Sequence, residues 1–152
     1  MEEAWRITKA KHAASAFSGE GAATTGGRWN SRGWRVVYTS ATQSLAALET
    51  LVHLNPPIQL KCVIFRVEFS AKLVERIDSA DLSQNWQVSP APLSTRRIGN
   101  ARLQSKRSAV LAVPSVLVPG ELNYLLNPGH PDFRKIRIGK PVPFAFDPRL
   151  LK

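Results

Sequence analysis

Apolar and polar side chains alternate along several short stretches of this chain, which is the pattern of β-strands with one buried face. In residues 63–69 the apolar odd-numbered positions alternate with positions that include Arg66 and Glu68. Shorter candidate strands cover residues 36–38, 110–113, 123–126, 135–138 and 144–146. Prolines and glycines, 11 and 9 in number, lie mainly at the edges of these stretches and indicate turns between them.

One stretch has the longer period of a helix, and it covers residues 40–54. Ser40 is a candidate N-cap, because Gln43 stands three residues later as in a capping box. Apolar residues repeat on one predicted face of this helix at Leu45, Leu48 and Val52. The prolines at positions 56 and 57 end the pattern. On such a helix Glu49 lies beside the apolar stripe, and His53 follows it one turn later.

The remaining long segment, residues 79–107, is polar, basic and interrupted by prolines. We interpret it as a long loop with room for one short helix. Strands therefore outnumber helices, and the predicted fold class is α+β. No G-x-G-x-x-G sequence follows a strand, which argues against a Rossmann nucleotide site. A length of 152 residues suits a single domain, residues 1–152.

Composition indicates a globular protein of a reducing compartment. Hydrophobic residues make up 43% of the chain and charged residues 21%, which excludes an intrinsically disordered sequence. Cys62 is the single cysteine, so no disulfide can form within the chain. The first residues lack the basic start and apolar stretch of a signal peptide, and no later apolar run could span a bilayer. We therefore expect a cytoplasmic protein with no membrane segment.

A formal net charge of +10 raises the question of a nucleic-acid partner. The basic residues are scattered, however, and only residues 96–107 form a local cluster. No aromatic platform on a basic strand accompanies that cluster, so we expect no direct nucleic-acid binding. A solvated basic surface and a surface for an acidic or phosphate-bearing partner are equal alternatives.

The strongest candidate for chemistry is the sequence Gly26-Gly27-Arg28-Trp29-Asn30, named here the arginine loop. Two glycines let the backbone approach a ligand, and the guanidinium can grip a phosphate with two hydrogen bonds. Such a turn is common and is weak evidence by itself. Its interpretation as a binding loop is supported by the polar residues that follow it in the chain: Tyr38, Glu49, His53, Ser115, Asn123, Asn127 and His130. No H-E-x-x-H sequence or cysteine pair is present, and we expect no metal.

Several further motifs stand in a fixed order along the chain. Besides the arginine loop they are Trp5-Arg6-Ile7, Gly19-Glu20-Gly21-Ala22, Val37-Tyr38, Ala47-Leu48-Glu49, Val113-Pro114-Ser115, Leu126-Asn127-Pro128 and Phe146-Asp147-Pro148-Arg149-Leu150. Together they resemble the RES domain family, the toxins of Xre–RES toxin–antitoxin pairs. The resemblance implies that the Arg, Glu and Ser of the family name are Arg28, Glu49 and Ser115. It also implies an ADP-ribosyltransferase-like core of two small antiparallel sheets with flanking helices, packed face to face around an NAD cleft.

The activity implied by the resemblance is cleavage of the nicotinamide–ribose bond of NAD, which depletes NAD and arrests growth. Because nicotinamide leaves as a neutral molecule, one carboxylate, Glu49, is enough to stabilise the ribose cation. Arg28 would hold a phosphate, and Ser115 would orient Glu49 or the nicotinamide amide. The expected substrate-binding residues are Tyr38, Trp29, Asn30, His53 and Asn127. NAD is then the substrate, no other cofactor is expected, and the implied partner is an Xre-type helix-turn-helix antitoxin.

The acceptor of the ribose stays open at this point. Water or phosphate as acceptor makes the enzyme a glycohydrolase or a phosphorylase, whereas a protein side chain makes it a protein ADP-ribosyltransferase. Related transferases often carry a second acidic residue two positions before the catalytic glutamate, where this chain has Ala47, and this favours small acceptors. More distant alternatives are a nucleic-acid-binding protein or ribonuclease that uses His53 or His130, and an inactive scaffold. A tryptophan that the family usually carries near Arg102 is absent, which leaves the local packing there open.

Overall fold

The computed structural model describes residues 1–53 and 61–151, and within them the chain forms eight strands and three α-helices. The strands are β1 (Glu2–Lys9), β2 (Val37–Ser40), β3 (Cys62–Phe69), β4 (Val74–Arg76), β5 (Val110–Pro114), β6 (Leu122–Leu126), β7 (Arg137–Ile138) and β8 (Val142–Phe144). The helices are α1 (Glu20–Thr25), α2 (Gln43–Leu51) and α3 (Leu93–Ser105). Every predicted strand overlaps an observed one, whereas no apolar alternation had indicated β1 or β4.

The strands divide into two groups that are joined at one point. Their order is β4-β5-β6-β2-β1-β3-β7, and β8 also pairs with β3. All of β1 pairs with β3, but β1 pairs with β2 only through Trp5 and Ser40. We name β4, β5, β6 and β2 the first half-sheet, and β1, β3, β7 and β8 the second. This confirms the prediction of two small antiparallel sheets, with the difference that β4 runs parallel to β5.

Side chains of the two half-sheets pack against each other in the main core. Val67 and Phe69 of β3 contact the same buried cluster as Val110 of β5 and Leu126 of β6. The rings of Phe69 and Tyr124 meet edge to face, with centroids 5.2 Å apart and planes at 75°. These contacts show that the half-sheets lie face to face. A buried aromatic pair of this kind stabilises the fold by about 0.5–1.5 kcal/mol beyond the contribution of its buried area.

A second core covers the outer face of the first half-sheet. Leu111 and Val113 of β5 pack there with Trp29 of the arginine loop and with Trp86. Helix α3 closes this layer. The prediction of a long loop with one short helix in residues 79–107 was therefore wrong, because α3 has 13 residues.

The missed helix has a physical reason. The residues by which α3 is most deeply buried are Thr95 and Gly99, and the helix also carries three arginines, Arg96, Arg97 and Arg102. A helix that docks through small side chains has no apolar stripe, so the usual periodicity is weak.

Helix α2 begins later than predicted, and it buries a different face. Thr42 is its N-cap, because the Thr42 hydroxyl accepts a hydrogen bond from Leu45 N at 3.0 Å. Ser40 belongs to β2. Leu45 and Ala46 are buried, whereas Leu48 and Val52 are 42% and 57% exposed, so the predicted stripe was only partly correct. The predicted helix end at residue 54 and the two prolines after it lie outside the described residues.

The three helices in residues 1–53 and 61–151 are too short or too polar to cross a membrane.

The contact between α3 and the arginine loop depends on the absence of a side chain at position 99. A Cβ atom at Gly99 would overlap the carbonyl group of Trp29, which is backbone and cannot rotate away. We expect Gly99→Ala to lower the free energy of unfolding by about 1–3 kcal/mol, measured by chemical denaturation. Gly21→Ala in α1 is the matched control, because a Cβ there meets no atom within 4 Å. Equal stability of the two variants would contradict close packing of α3 on the loop.

Candidate active site

Glu49 lies at the meeting point of three elements. Its side chain projects from α2, and the single oxygen Oε1 accepts two hydrogen bonds. Asn123 Nδ2 on β6 donates one at 2.9 Å, and Ser115 Oγ, just after β5, donates the other at 3.2 Å. The structure therefore brings Glu49 and Ser115, two members of the predicted triad, into direct contact.

Ser115 is held inside a tight turn. Its side chain is buried, and its Oγ accepts hydrogen bonds from Leu117 N at 3.1 Å and Val118 N at 3.2 Å. Its backbone N–H donates to Glu121 O at 2.9 Å. Because the backbone amides occupy the acceptor side of the hydroxyl, its proton points to Glu49. This geometry suits a residue that positions a carboxylate and not an exposed nucleophile.

Asn123 is a part of this cluster that no sequence motif assigned to the site. Ser40 Oγ donates to Asn123 Oδ1 at 2.7 Å, so a chain of hydrogen bonds runs from Ser40 through Asn123 to Glu49. Ser40 and Asn123 are register partners on β2 and β6. Strand register alone brings them together, and a local sequence pattern does not reveal register.

The arginine loop is built around the hydroxyl group of Tyr38. That hydroxyl donates to Asn30 Oδ1 at 2.6 Å and accepts from Trp29 N at 3.1 Å. Asn30 Nδ2 in turn donates to Ala22 O at 2.9 Å. Trp29 and Asn30 are both buried, so these two predicted substrate-binding residues lie within the loop's own packing. Burial raises the pKa of Tyr38 well above its ordinary value, so the hydroxyl stays protonated.

Arg28 is tied to the segment before α3. Its Nη1 donates to Trp86 O at 2.8 Å and to Val88 O at 2.9 Å. Burial lowers the pKa of Arg28; the Glu49 carboxylate opposes that shift, so the two groups lie within electrostatic reach of each other. In the described part of the chain Nε and Nη2 of Arg28 have no hydrogen-bond partner, so the guanidinium has donors left for a ligand.

A second arginine contacts the arginine loop at Gly27. Arg96 of α3 donates from Nε to Gly27 O at 3.3 Å, and its charge lowers the pKa of Arg28 further. The hydroxyl of the neighbouring Thr95 donates to Arg28 O at 2.7 Å. Among residues 1–53 and 61–151 neither arginine pairs with a carboxylate. Two nearby cations without a carboxylate partner favour an anionic ligand between them.

Arg6 is a third arginine that sequence patterns did not single out, although it belongs to the Trp5-Arg6-Ile7 motif. It donates from Nε to Ala16 O at 2.7 Å and from Nη1 to Tyr38 O at 2.9 Å. Burial lowers the pKa of Arg6 to about 10. The residue follows Trp5, the last point at which β1 and β2 pair, so it spans the gap where the half-sheets separate. Its place in that motif was its only sequence signal.

Two predicted substrate-binding residues are not brought to this cluster. His53 lies in the turn after α2, and its side chain is exposed. Asn127 stands just beyond the far end of β6 from Asn123, about 13 Å along the strand direction. It donates from Nδ2 to Leu103 O at 3.2 Å and accepts from Gly129 N at 3.0 Å, so it closes a turn.

His130 also belongs to a turn. Its Nδ1 accepts from Asp132 N at 2.9 Å, and its Nε2 lies 2.9 Å from Lys106 O. Over the described ranges, 1–53 and 61–151, no three His, Cys, Asp or Glu residues come together as a metal site.

Sequence and structure comparisons place this chain among known proteins. The RES domain profile matches residues 3–147. The chain is 42% identical over 148 residues to Toxin Res of Yersinia enterocolitica serotype O:8 / biotype 1B, which covers 96% of this chain and 97% of that protein. It is 39% identical over 154 residues to the Prs ADP-ribosylating toxin of Sphingobium sp. strain YBL2, with 97% and 96% covered.

Among solved structures, the chain is similar to one in the crystal structure of the M. tuberculosis MbcT-MbcA toxin-antitoxin complex. The TM-score is 0.74, and the match covers 95% of this chain and 84% of that one. Sequence identity is 16%, so the similarity concerns the fold alone.

The hydroxyl of Tyr38 satisfies two polar groups of a loop whose Trp29 and Asn30 are buried, and this predicts the effect of removing it. Tyr38→Phe leaves Trp29 N–H and Asn30 Oδ1 without that partner, so we expect the free energy of unfolding to fall by about 1–3 kcal/mol. Tyr124→Phe is the control, because Tyr124 is also a buried ring of the first half-sheet. Thermal and chemical unfolding measure both. A Tyr38→Phe protein as stable as the parent would show that the hydroxyl does not support the loop.

Proposed function

This chain belongs to the RES domain family, and from that premise we propose that it is the toxin of a toxin–antitoxin pair and breaks the nicotinamide–ribose bond of NAD. The observation that carries the proposal is the environment of Glu49. A carboxylate held through one oxygen by two neutral donors, with a partly free arginine in electrostatic reach, suits a reaction in which positive charge develops on a sugar.

The chemistry needs few protein groups. When the C1′–N bond breaks, its electron pair leaves with the nicotinamide nitrogen, and the ribose becomes an oxocarbenium ion. Nicotinamide departs as a neutral molecule, so no acid has to protonate it. The carboxylate of Glu49 stabilises the cation until an acceptor attacks C1′. Ser115 keeps that carboxylate in place.

Arg28 and Arg96 are the groups we assign to the pyrophosphate of NAD. Arg96 contacts Gly27 next to Arg28, the two charges influence each other, and Arg28 keeps donors that the described residues do not use. A guanidinium offers two parallel N–H donors to a phosphate, which a lysine cannot do. Arg6 lies at the gap between the half-sheets and is assigned to the same cleft. The hydroxyl of Tyr38 serves the loop, so its contribution to NAD is its ring.

The small acceptor stays a prediction, drawn from Ala47 in place of an acidic residue two positions before Glu49. Glu49 is on a helix, as the sequence predicted, and Ala47 points to a different face of it. Ala47 packs against the cluster around Ile7 and Ile64.

Transfer of ADP-ribose to a protein is accordingly the second candidate function. The name of the Sphingobium relative, an ADP-ribosylating toxin, favours it. Cleavage of the nicotinamide bond is common to both candidates, so the residues above have the same roles in each.

The proposed partner is an antitoxin with a helix-turn-helix module of the Xre type. The solved toxin–antitoxin complex of similar fold supports an antitoxin partner, and the charge of +10 suits an acidic surface on it. We propose that NAD is consumed as a substrate without any further cofactor, and that this takes place in the cytoplasm, where NAD is abundant.

The product of the reaction tests the function directly. Purified protein is incubated with adenine-labelled NAD in plain buffer, with phosphate, or with cell extract, and the products are separated. Free nicotinamide in any of these supports the proposal. ADP-ribose, ADP-ribose phosphate and labelled protein identify water, phosphate and a side chain as acceptors. If NAD stays intact in all three while RNA is degraded, the ribonuclease alternative is correct.

Glu49→Gln keeps the size of the side chain but removes its charge. We expect turnover of NAD to fall by about a hundredfold or more, because the ribose cation loses its stabilising carboxylate. Glu20→Gln is the matched control, since Glu20 is exposed and pairs with Arg35 on the surface. Release of nicotinamide is the measurement. Turnover by folded Glu49→Gln at the rate of the control would remove Glu49 from the reaction.

Arg28→Ala should chiefly weaken NAD binding, which isothermal titration calorimetry measures. We expect the Kd to rise by about tenfold or more, because a charge-assisted contact to phosphate is lost. Arg28→Lys should restore little, since one ammonium group cannot hold the two loop carbonyls and a phosphate at once. Arg97→Ala, an exposed position of α3, is the control. An unchanged Kd for Arg28→Ala would mean that the arginine loop does not hold the phosphates.

A further inference from the structure

We propose that Asn123 is the positioning residue for the Glu49 carboxylate, and that the Ser40 hydroxyl holds the other end of the Asn123 side chain. This inference rests on the proposed function and adds two residues to its machinery. The chain Ser40–Asn123–Glu49 is a second support for the carboxylate, independent of Ser115.

We name the chain Ser40–Asn123–Glu49 the relay. Its first link is the cross-strand pair of Ser40 and Asn123. Ser40 and Asn123 stand opposite each other on β2 and β6, so their side chains share one face of the first half-sheet. Ser40 is buried, and its Oγ lies 2.7 Å from Asn123 Oδ1. A buried hydroxyl at this distance fixes the amide oxygen.

The second link follows from the asymmetry of an amide. One end of the Asn123 side chain accepts hydrogen bonds, and the other end donates them. Because a carboxylate oxygen only accepts, Glu49 Oε1 takes the NH₂ group at 2.9 Å, and the amide oxygen is left to accept from the Ser40 hydroxyl. A reversed amide would place its oxygen against a carboxylate oxygen, which is repulsive. The relay therefore presents Glu49 with a donor, which suits an ionised carboxylate.

The geometry also shows which carboxylate oxygen is left for the substrate. Ser115 and Asn123 both bind Oε1. Within the described residues Oε2 of Glu49 accepts no hydrogen bond, so it is the oxygen that can face the sugar. A long glutamate side chain samples many rotamers unless it is held, and a support that fixes it contributes to the rate more than to NAD affinity.

The relay further ties Glu49 to the junction of the two half-sheets. Ser40 is also the partner of Trp5, the single pair that joins β2 to β1. The arginine at position 6 follows that pair directly. Ser40 therefore connects the support of the Glu49 carboxylate to the point at which the half-sheets separate.

Asn123→Asp is the variant that separates positioning from structure. Aspartate has the same shape and keeps an oxygen for the Ser40 hydroxyl, but it replaces the NH₂ donor with a second negative oxygen facing Glu49. We expect kcat for NAD to fall by about tenfold or more while KM changes by no more than about twofold. Ser40→Ala should lower kcat by a smaller factor, and Ser40→Thr, which keeps a hydroxyl, should restore it.

The matched control is Asn85→Asp on the surface. Asn85 Oδ1 accepts from Ser83 Oγ at 2.8 Å, so the same exchange there keeps the same kind of hydrogen bond and adds the same charge. If Asn123 were only structural, Asn123→Asp would match this control in kcat, because its bond to Ser40 survives. That result would overturn the proposal.

If the parent protein does not consume NAD, the proposed function alone is refuted. The relay can then still be tested by a measurement that does not need NAD. The side-chain amide protons of Asn123 are followed by ¹⁵N–¹H NMR in the parent and in Glu49→Ala. The relay predicts that they change chemical shift and exchange faster with water once the carboxylate is gone. Unchanged shift and exchange would refute the relay itself.

Discussion

The double hydrogen bond to Glu49 Oε1 is the interaction on which the arrangement of the site depends. Its two donors come from the turn after β5 and from β6, whereas the carboxylate comes from α2. Of these three elements, only β5 and β6 follow each other in the chain. A carboxylate in this position is useful only if its direction is fixed, and the two neutral donors fix it without cancelling its charge.

Around the arginine loop, Arg28 and Arg96 are held near each other, although neither has a carboxylate partner among the described residues. Arg28 is held by the carbonyl groups of Trp86 and Val88, and Arg96 by that of Gly27. Carbonyl dipoles stabilise a guanidinium but leave its full charge available to a ligand. The packing of Trp29 and the close contact of Gly99 with the loop backbone hold the loop against α3.

Both arrangements meet where the half-sheets separate. Trp5 and Ser40 form the last pair between them, Ser40 reaches Glu49 through Asn123, and Arg6 crosses the gap to Tyr38 O. The edge-to-face contact of Phe69 and Tyr124 packs the two half-sheets against each other. We therefore attribute the proposed NAD site to the place where the sheet splits.

The amino-acid sequence by itself determined the chemistry available and most of the strands. Alternation along β3, β5 and β6 marked strands because burial of one face requires it, and the order of Arg28, Glu49 and Ser115 indicated the family. Tertiary structure alone decided which polar side chains meet. Asn123 and Asn127 are the same residue type near opposite ends of one strand, and only the register with β2 and the approach of α2 place the first beside Glu49. Helix α3, Arg96 and Arg6 went unrecognised for the same reason. Their positions depend on docking through small residues and on backbone carbonyls far away in the chain, which no local period of hydrophobic and polar residues records.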